Sequence, residues 1–582
     1  MDPRSNTTML AAPPRSLRPA CGLLRRLYTS NPFYVISADL VFVGIRMSLD
    51  NHGTTLGTSA LMLAIAAYTL LLATTACLLI RLGKVWDDLR TVLLLVVMMF
   101  LALSVTFDET LTSRPRLGMA CDVAGLLFAM CVSEGVLRVI RLRLPMLYRV
   151  PYYLILTLFF LYPAIVVSLG GDPSSPALQW ALFGFSPLAG LVFLTLMPAT
   201  RRGPRYVSKN GSPWRFPLYP WALFGLLAMA VCGRAFYLCI SLHFVERTSQ
   251  HFVERSHSIF GPYFLVPFLF ALNVLLLELG IVARSRAVLR TAILVPFGLV
   301  ALASIGPGPD PVSQRFLLIF MSRLGCSPLF LAMMGATLFY AFALVRRVPL
   351  ALAALTLSLG GLAVVSPGML DVNGLVVSQP QPQPILALAV LWLWLAWRGR
   401  HSGRCLFGAA CLVAGLTFSL GQSDCAGYQA LLAFHLALMA LLAMGALFDD
   451  ALGRLLRRAS AVLLTLASLL VVPGDPWLCK LAFVSPEVVR VYPMMLVVIA
   501  TSYGFLFGSR AHLLAATWSV AGWLALVGVR SFLEVRKYVA GLDRIAWGMA
   551  FFLLAMMISL AKAGLLRRWF ERKPDAGDRS LA

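Results

Sequence analysis

Charge is scarce in this chain, and acidic charge scarcer still. Only 13% of its 582 residues are Asp, Glu, Lys or Arg, against ~25% in ordinary soluble domains. No polar stretch is long enough to fold as a soluble domain. The longest polar gap, 200–217, is rich in proline and glycine, so an ATPase head, a kinase or a DNA-binding module has nowhere to sit. The signatures GxxxxGK[ST], GxGxxG and HExxH are absent, as is a dense histidine set for haem. The 11 cysteines show no CxxC and no Cys/His metal spacing. Nothing here asks for a cofactor.

What fills the chain is hydrocarbon: 59% of residues are hydrophobic and the mean hydropathy is +0.83. Apolar segments recur at 31–49, 58–80, 91–107, 118–137, 151–169, 178–198, 218–242, 260–283 and 290–305. They continue at 324–345, 349–366, 385–397, 405–421, 428–447, 459–473, 491–508, 510–529 and 545–566. Segments of that length cross a bilayer as helices, because only a helix satisfies its own backbone polar groups in lipid. The expected fold is therefore all-α, a polytopic membrane bundle of about 16 to 18 transmembrane helices without a soluble domain. Segment 385–397 is short enough to be re-entrant.

The net charge of +24 comes from 49 basic and 25 acidic residues. It is dispersed in short gaps, which points to orientation and contact with anionic lipid rather than to nucleic acid. Clusters fall in every second gap, for example Arg81, Lys84 and Arg90, then Arg138, Arg141 and Arg143, then Arg201, Arg202 and Arg205. The positive-inside rule retains those gaps and both chain ends in the cytoplasm, as in a bacterial-type cytoplasmic membrane. Residues 1–30 read as a basic disordered tail, 31–566 as the transmembrane domain and 567–582 as a second basic tail. One outer gap breaks the charge rule. Arg530, Lys537 and Arg544 share a face at i, i+7, i+14, which predicts an amphipathic helix lying on the membrane surface.

Ionisable residues inside apolar segments need a reason to be there. Arg46, Glu134, Glu278 and Lys562 lie near segment ends and can snorkel. Asp39, Asp122 and Arg234 lie deeper and are the candidates for substrate or ion binding, with Asp39 or Asp122 expected to pair with Arg234. Asp108 and Glu109 are expected in an outer loop, where paired acids could serve a transferase. His435, alone in an apolar helix, is a weak candidate for a general base. The duplicated His243-Phe-Val-Glu-Arg247 and His251-Phe-Val-Glu-Arg255 would place His243, Glu246, Glu254 and His257 on one stripe, a weak candidate for a metal site. Cys425 and Cys479 fall in outer gaps where a disulfide could form. Pro163, Pro187, Pro267, Pro296 and Pro328 interrupt segments, a feature transporters use to expose backbone groups.

Membrane lipids are the expected partners, with a small molecule or lipid as substrate. Three functional classes fit: a carrier for a small solute or lipid, a transferase acting on a lipid-linked substrate at the outer face, and a non-catalytic scaffold or assembly subunit. Helix number and the lack of a soluble domain put the carrier first and an enzyme behind it.

Overall fold

Every apolar segment read from the sequence carries a helix over its described residues in the computed structural model. The structure describes residues 33–50, 55–169, 175–208, 210–214, 216–241, 259–306, 311–365, 367, 380–422, 429–470, 486–539 and 541–562. No strand occurs among them. The protein is an all-α polytopic membrane bundle, and 12 of the described helices are long and apolar enough to cross a bilayer. The chain divides into two units, Met1–Gln381 and Pro382–Ala582.

In the first unit the helices are α1 (Phe33–Asp50), α2 (Thr55–Leu78), α3 (Trp86–Ser113), α4 (Pro115–Ile140), α5 (Met146–Ser168) and α6 (Pro176–Leu194). They are followed by α7 (Leu218–Ser241), α8 (Val266–Val282), α9 (Arg286–Ala303), α10 (Pro311–Leu324), α11 (Pro328–Val345) and α12 (Ala351–Val364). The sequence reading missed α10 because Gln314, Arg315, Ser322 and Arg323 dilute its hydropathy. Its apolar face, with Phe316, Leu317 and Phe320, is buried nonetheless. Two of the five prolines do not interrupt helices: Pro267 and Pro328 stand in first turns, where the missing N–H is no loss.

The second unit contains α13 (Pro382–Gly399), α14 (Ser402–Gly421), α15 (Gln429–Leu447), α16 (Ala451–Leu470), α17 (Pro486–Leu506), α18 (Arg510–Val535) and α19 (Leu542–Lys562). Segment 385–397 is the middle of α13, an unbroken helix that packs along α14 as a hairpin. The expected surface helix across Arg530–Arg544 is also corrected. Arg530 lies in the last turns of α18, which ends at Val535, Lys537 lies in a turn and Arg544 is in the first turn of α19, with Gly541 at φ +93° breaking the run. The turn neutralises part of its own charge through Arg536–Asp543 at 2.9 Å and Lys537–Glu534 at 3.1 Å.

Contacts within the first unit gather the basic turns on one face. The Trp86 ring meets Trp214 edge-on at 5.7 Å, and the Arg143 amide donates to the Asn210 carbonyl at 2.8 Å. Glu278 on α8 is fully buried between Arg201, after α6, and Arg346, after α11, at 2.8 Å each. Five of these turns across the chain place a basic residue in the left-handed region: Lys84, Arg141, Arg284, Arg347 and Arg400, at φ 47–58°. A side chain there costs about 1–2 kcal/mol of backbone strain, yet glycine is not used. The bonds Leu142 N–Leu137 O, Ser285 N–Gly280 O and Val348 N–Ala343 O close three such helix ends in the Schellman manner. A cation at that position faces the negative end of the helix dipole.

Candidate functional site

A glycine-lined stripe on α4 sets up the cluster at the heart of the first unit. Gly118, Asp122, Gly125, Ala129 and Ser133 share the buried face of that helix. A Cβ at Gly118 would stand 2.3 Å from the Leu111 backbone, and one at Gly125 would stand 2.4 Å from the Phe107 ring and 2.8 Å from Phe160. The glycines thus let α4 close on α3 and α5, and in lipid such close approach is what drives helix association. Asp122, between them in register, is carried inward to complete burial.

Arg234, on α7, is fully buried and pairs with Asp108 in fork geometry. Nη1 donates to Oδ2 at 2.5 Å and Nη2 to Oδ1 at 2.9 Å. Nη2 also donates to the Phe159 carbonyl on α5 at 3.3 Å. Asp108, expected in an outer loop, sits instead inside α3, which runs on to Ser113. The sequence reading cut the helix at the first acid, whereas a paired acid can stay helical and buried. Asp108 is the ion-pair partner of Arg234, in place of the expected Asp39 or Asp122. Asp122 lies within reach of the charges of both Asp108 and Arg234, but neither of its oxygens has a hydrogen-bond partner among the described residues. The Nε of Arg234 is likewise unpartnered there. At ~1.5 Å per residue, Asp108, Asp122 and Arg234 each lie about 8–10 Å inside their helix ends, within one layer of the membrane.

The other nominated residues are dispersed. Asp39 is exposed on α1, and Glu109 is exposed on α3. Both ring nitrogens of His435 are engaged: one bonds the Leu431 carbonyl at 2.7 Å and the other the Tyr492 hydroxyl at 3.1 Å. His243, Glu246, Glu254, His257, Cys425 and Cys479 lie outside the described residues. No group of three or more His, Cys, Asp or Glu suited to a metal occurs among the described residues.

Sequence reasoning gave no hint of His512, which is buried in the second unit between the hydroxyls of Ser460 at 3.0 Å and Ser509 at 2.8 Å. It also missed Asp450, whose carboxylate accepts from the Ser402 hydroxyl and, at 2.7 Å, from the Gly453 amide. Asp450 thereby caps α16 and ties it to the start of α14. Those two donors hold its carboxyl below the usual carboxylate range, the Ser402 hydroxyl most of all.

A cavity of about 550 Å³ forms a groove between α6, α8, α10 and α11. Tyr263 is the one polar side chain among the described residues of its lining. On α11 it runs from Pro328 to Phe342, about 20 Å at ~1.5 Å per residue. Leu191 and Leu338 line it and are 62% and 65% exposed, so its wall is open at the side. Gly190 and Gly335 let α6 and α11 lie close against α8 along its floor, because a Cβ at either would approach Ala271 or Phe270 to 3.1 Å. Next to the lining residue Leu324, exposed Arg323 donates to the buried Gln179 amide oxygen at 2.6 Å. A second cavity, about 110 Å³, lies among α3, α4, α5 and α7 and is lined mainly by leucine and valine.

Comparison of the chain with protein-family models, with curated proteins and with solved structures gives no match.

Proposed function

We propose that this membrane protein is a lipid carrier, which takes the apolar chain of an amphiphile into the groove between α6, α8, α10 and α11. The groove carries this reading. A polar solute would have to give up its hydration without finding partners on walls that offer a single hydroxyl. A hydrocarbon chain loses nothing there. Because bilayer lipid is as apolar as the lining, selection would rest on shape and on the headgroup. The basic face would lie in the cytoplasm, with both termini on that side of a bacterial-type membrane. The transferase reading has less support, because Asp108 is committed to Arg234 and both nitrogens of His435 are already engaged.

The test uses the full chain in lipid nanodiscs with a photoactivatable acyl-chain phospholipid. Labelling should concentrate on α6 and α11 and fall several-fold in Leu338→Trp and Gly335→Leu, which narrow the groove. Proteoliposomes of the parent should also move a fluorescent phospholipid between leaflets faster than the variants do. Labelling spread evenly over all lipid-facing helices and unchanged by both variants would sink the proposal.

A further inference from the structure

The three charged side chains at the α3–α4–α7 cluster do not balance if all are ionised. Asp108 and Arg234 cancel in a fork of two hydrogen bonds, which leaves Asp122 as a second buried carboxyl in the same layer. Among the described residues no further cation comes from the neighbouring helices. On α3 the nearby acid is Asp108, and Glu109 is exposed. The sequence of α2 holds no acid or base, and its ionisable groups are Tyr68 and Cys77. The one charged residue of α5 is Arg149, which pairs with Glu134 far along α4; its other ionisable groups are Tyr148, Tyr152, Tyr153 and Tyr162. On α4 itself Cys121 adjoins Asp122, Arg116 is exposed in the first turn, and Cys131, Glu134 and Arg138 lie further toward the other end. On α7 the one charged residue is Arg234, with Cys232, Tyr237 and Cys239 beside it and Tyr219 at the far end.

A buried carboxylate with neither counter-ion nor hydrogen bond is costly by several kcal/mol and relieves that cost by taking up a proton. We propose that Asp122 is a proton-binding site, neutral while Arg234 is held by Asp108. On release, the proton passes from the Asp122 carboxyl oxygen to water and leaves a carboxylate. Among the described residues of the cluster that carboxylate has one vacant donor, the Nε of Arg234, whose Nη1 and Nη2 are already used. Proton loss therefore recruits Arg234 to α4 as well as to α3, and proton uptake frees it. The site is a protonation-controlled contact between α4 and α7 through one guanidinium, and it stands apart from the lipid groove.

Infrared difference spectroscopy of the full chain in nanodiscs tests it through the carbonyl stretch of protonated carboxyl groups. At neutral pH the parent should show the signal of one such group, lost as pH rises. Asp122→Asn should abolish it with no change in melting temperature at pH 6, since the amide copies the neutral acid. Asp108→Asn should abolish it too, because Arg234 then belongs to Asp122. Arg234→Gln should raise it to the signal of two carboxyls. Should Asp122→Asn fail to fold, the parent labelled with carboxyl-¹³C aspartate must still show one protonated aspartate at neutral pH. Absence of that aspartate, or an infrared band untouched by Asp122→Asn, would overturn the proposal.

Discussion

Pro163 and Arg234 are joined through a single carbonyl oxygen. Proline has no N–H, so Pro163 leaves the Phe159 carbonyl of α5 without its helical partner, and Arg234 donates to that oxygen at 3.3 Å. The same device recurs in α9, where Pro296 leaves the Ala292 carbonyl free and Asn273 of α8 donates to it at 2.9 Å. In lipid a vacant carbonyl must be satisfied within the protein, so each proline fixes where a buried polar side chain from another helix can rest.

Arg234 gives the first stability prediction. Removing one partner of a buried ion pair costs about 3–5 kcal/mol, but Asp122 stands ready as a substitute for Asp108. Asp108→Asn should therefore destabilise less than Asp108→Asn/Asp122→Asn, in which Arg234 keeps no anion at all. Unfolding of the single and double variants in mild detergent measures the difference; equal losses would deny the substitution.

Glu278 offers a contrast. It is fully buried, while Arg201 and Arg346 remain 46% and 35% exposed at the side chain. Glu278→Gln leaves two cations that can turn to water, so the loss should stay near 1–3 kcal/mol. Arg201→Gln and Arg346→Gln should each lose less, since the other arginine remains. Melting temperatures of the three variants check this ranking.

Asp450 predicts a response to acid. Its carboxyl is held low by the Ser402 hydroxyl and the Gly453 amide, so the folded state binds its proton less readily than the unfolded chain does. The stabilisation is complete above the ordinary carboxylate value of ~4 and fades as pH falls through the lower folded value. Melting curves from pH 7 to pH 3 should show parent and Asp450→Asn converging at the acid end. A constant gap would disprove the linkage.

The basic turns predict a labelling pattern. In a cysteine-free background, Lys84→Cys, Arg141→Cys, Arg284→Cys and Arg347→Cys should react with an impermeant maleimide from one side of sealed vesicles. Arg114→Cys and Ser175→Cys should react from the other. Any of the first four reacting with the second set would break the alternation of the first unit.

Segment length and hydropathy made the helices legible, because each must satisfy its backbone alone in hydrocarbon. The arginine pattern made alternate turns legible, because charge sorts locally at the membrane surface. Both are properties of short stretches of chain. The meeting of Asp108 with Arg234, 126 residues apart, the convergence of Arg201 and Arg346 on Glu278, and the opening of a groove beside α10 depend on which helices are neighbours. Hydropathy does not encode neighbour order in a bilayer that solvates every apolar face alike. Small residues such as Gly118 and Gly125, and the carbonyl freed by Pro163, decided it through contacts that exist only after the helices meet.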